Sequence, residues 1–168
     1  MPRLPHFPRH AAIESMSDWG LTSRVSARVT LADGAVLEGD LHLASRPSYP
    51  PGPETPIEML NRPDPFFALI PREGGVLFLP KAGVSVVACP EPSPWVDPDR
   101  VTAAKQLELS VEFPNGQEYR GHAVAELHPS RSRALDYVNA TGLFFGLWDD
   151  GIARYFNKTH VRYIRPYD

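Results

Sequence analysis

Seven residues of this chain could contact a ligand or partner through charge, amide or ring chemistry. They are Asn61, Lys81, Asn139, Lys158, Arg154, Arg162 and Tyr163. Near the C-terminus Arg154, Lys158, Arg162 and Arg165 alternate with Tyr155, Phe156, Tyr163 and Tyr167, and no acid intervenes. Cations interleaved with aromatics suit phosphate contact combined with base stacking. The simpler reading is a hairpin whose outward positions are basic. Asparagine in a short loop has its own simple reading, because its amide satisfies backbone groups and tolerates positive φ.

Other chemistries find little support. The six histidines, His6, His10, His42, His122, His128 and His160, show no metal-ligand spacing. No nucleophile elbow, phosphate loop or dinucleotide fingerprint occurs. Cys89, the single cysteine, excludes an internal disulfide and ends an apolar run, where it reads as a small apolar side chain. No cofactor and no catalytic residue is expected. Asp149-Asp150-Gly151 reads as a hairpin turn.

The elements that position these residues follow from composition and pattern. The chain has 168 residues, a net charge of -3 and 42% hydrophobic residues, as ordinary globular domains do. Its 19 prolines are about twice the usual share and argue against a mainly helical protein. No apolar run approaches the length needed to span a bilayer. Met1–His10 carries no apolar signal-peptide core, so a cytoplasmic protein is expected. Residues 24–89 hold 6 basic and 7 acidic groups, and residues 104–168 hold 8 and 8, so neither stretch binds polyanions by net charge.

The chain resembles itself. Val25, Ala27, Val29 and Leu31 alternate with polar residues before Asp33-Gly34. Leu107, Leu109, Val111 and Phe113 do the same before Asn115-Gly116, 82 residues on. Asp-Gly and Asn-Gly suggest type I′ hairpins. Gly39 and Gly121 occupy matching places in the returning strands and suggest a sharp bend. Glu58–Asn61 and Phe66–Leu69 match Asp136–Asn139 and Phe144–Leu147 at an offset of 78, after the proline-rich insertion Pro47–Pro56. Leu79–Lys81 and Val84–Val87 match Phe156–Lys158 and Val161–Ile164 at an offset of 77.

Five strands are therefore expected in each copy. They fall at 25–32, 35–43, 66–70, 76–80 and 84–88, then at 106–113, 117–126, 143–148, 152–157 and 160–165. Five short strands bury one face and remove their edges by curling into a small barrel. The expected organisation is a disordered tail and short helix over 1–23, barrels over 24–89 and 104–168, and a stiff proline-rich connector over 90–103. Of Phe66-Phe67 and Phe144-Phe145, one ring of each pair belongs in a core and the other needs a cover.

Leu31–Gly39 followed by Glu58–Asn61, and again Phe113–Gly121 followed by Asp136–Asn139, resembles the first signature of the Sm and Sm-like family. It is also similar to uncharacterised bacterial small-barrel domains. The resemblance implies a short helix and a strongly bent five-stranded barrel in each copy. Family members form rings and bind single-stranded RNA through a loop asparagine and a basic residue. Carried over, these are Asn61 with Lys81 and Asn139 with Lys158. Here Ala82 and Thr159 follow the lysines where the family has glycine. The expectation is thus a non-catalytic binding or assembly module, partnered by an unknown protein or by itself. Sm-like RNA binding is the alternative, and an enzyme on a small-barrel scaffold comes third.

Overall fold

The computed structural model describes residues 23–46, 49–91, 105–125, 134–140 and 142–167. Nearly all of the expected N-terminal tail and helix, most of the connector, and His128 lie outside the described residues. The first half comprises β1 (Ser23–Leu31), β2 (Val36–Leu43), α1 (Pro56–Asn61), β3 (Phe66–Pro71), β4 (Leu77–Pro80) and β5 (Val84–Pro90). The second comprises β6 (Lys105–Glu112), β7 (Glu118–Ala125), α2 (Ala134–Val138), β8 (Phe144–Asp149), β9 (Ile152–Asn157) and β10 (Tyr163–Tyr167). Phe66 and Phe144 each open the third strand of their half.

All ten strands form one antiparallel sheet, in the order β10-β6-β7-β8-β9-β5-β1-β2-β3-β4. The expected closure into barrels is not what the hydrogen bonding makes. β5 pairs with β1 on one side and with β9 on the other, so neither of its edges is left for β4. The sheet therefore stays open and ends on β4 and β10.

The turns follow local stereochemistry. After β1, Gly34 donates to the Leu31 carbonyl, the Asp33 carboxylate accepts from Ala35, and only Gly34 has positive φ. Phe113, Asn115, Gly116 and Gln117 repeat the arrangement. This is a type I turn closed by a left-handed glycine, not the expected type I′ turn, which needs positive φ at both central residues. Asp150 and Gly151 both have positive φ and make the two-residue turn between β8 and β9.

Gly39 and Gly121 sit where the third strand crosses closest. A Cβ on Gly121 would lie 2.9 Å from the Trp148 carbonyl oxygen, and one on Gly39 would collide with the Ile70 carbonyl. Helix α1 opens with Thr55 and Glu58 in a reciprocal capping box. Arg46 pairs with Glu58 at 2.9 Å and holds its carboxyl down to about 2.

Two cores form, and the halves share them. The first contains Val29, Leu41, Met59, Leu60, Leu69 and Val87, together with Phe144, Ala153 and Tyr155 from the second half. The other contains Leu109, Val111, Phe113, Phe145 and Phe156, together with Val86 from β5. Strand alternation explains the exchange. Val86 and Val87 point to opposite faces of β5, and Phe144 and Phe145 to opposite faces of β8. Cys89 is buried in the first core, where burial pushes its thiol up to about 12. No helix among the described residues is long and apolar enough to cross a membrane.

Candidate functional site

Helix α1 ends against the second half, and Asn61 makes the join. Its side-chain oxygen accepts from the Phe144 N–H at 2.8 Å, and its Nδ2 donates to the Phe144 carbonyl at 3.1 Å. The amide thus imitates a strand residue. Gly142 permits the approach, since a Cβ there would lie 2.6 Å from the Asn61 amide.

Lys81 is buried and donates to the carbonyls of Met59 and Arg62, both at 2.9 Å. It satisfies carbonyls that the end of a helix leaves open. Burial, then Arg62, lowers its pKa. Lys158 repeats the role beyond α2, donating to the Ala140 carbonyl at 2.6 Å, and burial lowers its pKa too. Asn139 is exposed just past α2.

The basic-aromatic run does not form the single surface its sequence suggests. Tyr155 and Phe156 are core residues, and β9 and β10 are separated in the sheet by β6, β7 and β8. Asn139, Lys158 and Tyr163 come together in a groove of about 430 Å³, with Leu135, Val138 and Ile164. Arg154 lies elsewhere, 3.9 Å from Asp149 and 5.5 Å from the centre of the Tyr119 ring. Arg162 is exposed, 3.9 Å from Glu112.

Sequence reasoning missed three polar residues, of which Asn157 and Glu91 join the halves and Glu54 braces the first half. Asn157 is fully buried and donates to the carbonyls of Lys81 and Val84 at 3.1 and 3.0 Å. Its oxygen accepts from Thr159 at 2.9 Å. Glu91 accepts from Trp148 at 3.1 Å and from Tyr155 at 2.8 Å, and burial and this carboxylate raise the Tyr155 pKa. Glu54 is buried beside Arg62 and accepts from the Ala44 N–H at 3.1 Å. The available signal was a polar residue on the apolar phase of a strand, as Asn157 is beside Tyr155.

The β4 end of the sheet differs from the interior junction in what it exposes. Phe144, Ala153 and Tyr155 are at most 2% exposed there, whereas Phe66, Val76 and Phe78 are 55%, 54% and 74% exposed. Among the described residues no group of acids, histidines and cysteine could hold a metal ion. No protein-family model, curated protein or solved structure matches the chain.

Proposed function

We propose that the protein is a non-catalytic assembly module whose two halves are bent five-stranded units of one duplicated design, and that its sheet ends join copies head to tail. The observation that carries this is the apolar end formed by Phe66, Val76 and Phe78. At offsets of 78 and 77 these correspond to Phe144, Ala153 and Tyr155, which are buried against the first half.

The internal junction supplies the template. There Val87 pairs with Tyr155 and Cys89 with Ala153. The same register brings Phe78 of a second copy opposite Ile164, and Val76 opposite Pro166. Asn139, the counterpart of Asn61, then clamps the backbone at Phe66 of that copy. The groove beside Asn139 receives the ring, as the first core receives Phe144. Such a contact is heterologous, so it repeats and closes into a ring where the rotation allows.

Three substitutions make the contact between chains weaker than the one within. Pro166 replaces Cys89 and has no N–H for the second copy, Pro80 replaces Asn157 and cannot donate, and Asp64 replaces Gly142 where the asparagine needs room. Association should therefore depend on concentration. Sedimentation velocity of the whole chain should show species larger than a monomer. Phe66→Glu with Phe78→Glu should leave a monomer, and Asp64→Gly should shift wild type towards larger species. A chain that stays monomeric at every accessible concentration, or associates equally with both glutamates, overturns the proposal. The RNA reading has less support, because Asn61, Lys81 and Lys158 are engaged with backbone groups.

A further inference from the structure

A second cleft lies across the centre of the sheet, away from both ends. The antiparallel register aligns Glu38, Arg28, Ala88 and Arg154 in one row across β2, β1, β5 and β9. Directly opposed residues project from the same face. Arg28 and Arg154 thus flank Ala88 from two strands apart, about 10 Å at the usual strand spacing. Ala88 is small, so the space above it stays open. The cleft encloses about 580 Å³, and Arg72, Asn115, Gln117 and Tyr119 also line it.

The charges are uneven. Among the described residues Glu38 is the one carboxylate lining the cleft, against Arg28, Arg72 and Arg154. Neither Arg28 nor Arg72 makes an ion pair within this set, while Arg154 reaches Asp149 only at 3.9 Å. Arg28 and Arg154 rise on either side of the small Ala88, Glu38 lies on the far side of Arg28, and an anion above Ala88 would be attracted by both cations. Tyr119 is held in place by packing against Phe113 and Phe156, with ring centres 5.9 and 5.5 Å away. Val86 and Ile152 add apolar wall, and the amides of Asn115 and Gln117 offer donors and acceptors at the rim.

We infer that this cleft binds the phosphate of a small organic phosphate of nucleotide size. The phosphate sits above Ala88 between Arg28 and Arg154, and the rest of the ligand lies along Tyr119. Arginine suits the role because its planar fork matches phosphate oxygens in pairs. The volume falls in the range of small-ligand sites. The site depends on β5 lying between β1 and β9, so one intact chain contains it whether or not chains associate.

Calorimetric titration of the whole chain with AMP, inorganic phosphate and adenosine tests this. AMP should bind saturably, and adenosine should bind at least about tenfold more weakly, because charge-assisted bonds to the phosphate are lost. Arg28→Ala should weaken AMP binding by about tenfold or more on the same ground. Ala88→Glu should do so too, by placing a carboxylate where the phosphate sits. Arg120→Ala removes an equal charge outside the cleft and should leave binding unchanged. Phosphate binding as tightly as AMP assigns the site to the free anion, and AMP binding alone assigns it to the ester. Thermal melts report whether each variant folds, and Arg72→Ala, at an exposed position, serves where Arg28→Ala does not. The proposal fails if neither AMP nor phosphate binds. It also fails if folded Ala88→Glu binds AMP as wild type does, or if Arg120→Ala is as damaging as the cleft variants.

Discussion

At the scale of single residues, the amides and ammonium groups of this protein mostly replace missing backbone partners. Asn61 extends strand β8 with a side chain, Lys81 closes the end of α1, and Asn157 ties the turn at Lys81–Gly83 to β9. Buried polar groups of this kind contribute modestly when satisfied and cost more when one partner is removed. Asn157→Leu leaves the carbonyls of Lys81 and Val84 and the N–H of Thr159 without that partner. It should destabilise the fold by about 1–3 kcal/mol or more. Asn139→Ala, at the exposed counterpart of Asn61, should stay within about 0.5 kcal/mol in the monomer. Urea denaturation of both variants checks the contrast; equal losses would contradict this account of Asn157.

At the scale of elements, the close crossing of the second and third strands in each half depends on an absent side chain. Gly121 pairs with Leu109, and beside it His122 pairs with Trp148, where β8 crosses closely. A methyl at 121 would meet the Trp148 oxygen at 2.9 Å and the Leu147 Cβ at 3.0 Å, and neither belongs to a flexible chain end. Gly121→Ala should therefore cost about 1–3 kcal/mol, as overpacking does. Gly83→Ala is the control, since its Cβ would make an ordinary 3.5 Å contact with the Pro80 ring. Thermal melts should separate the two, and an unaltered Gly121→Ala melt would contradict the close-crossing account.

At the scale of the whole molecule, the halves exchange core residues, so neither is independent of the other. Phe144 is 2% exposed and packs into the first core, while Val86 of β5 packs into the second. Unfolding should follow a single transition, as in small cooperative domains. Phe144→Ala should cost about 3–5 kcal/mol and lower that transition as a whole. Hydrogen exchange at Val29 and Leu41 reports on the first core, and at Leu109 and Val111 on the second. Two separated transitions, or a loss confined to one half, would show that the shared core does not couple them.

The sequence by itself determined the strands, where they turn and their alternation. Most strand ends lie within two residues of where the apolar period places them, because that period, turn glycines and steric limits on φ act locally. β10 begins three residues later than its pattern suggests, since the Lys158–His160 turn, capped by Asn157, uses the intervening residues. Asn61 and Lys81 were legible as unusual residues, but their partners were not, because Phe144 lies 83 positions from Asn61. Which strand edge meets which was decided only in the tertiary structure. β5 presents two edges, and alternation says which face is apolar but not what lies beside a strand. The choice of β1 and β9 came from burying Phe144, Ala153 and Tyr155 in the first core and Val86 in the second. That same choice left the sheet open at both ends and set Arg28 and Arg154 on either side of Ala88.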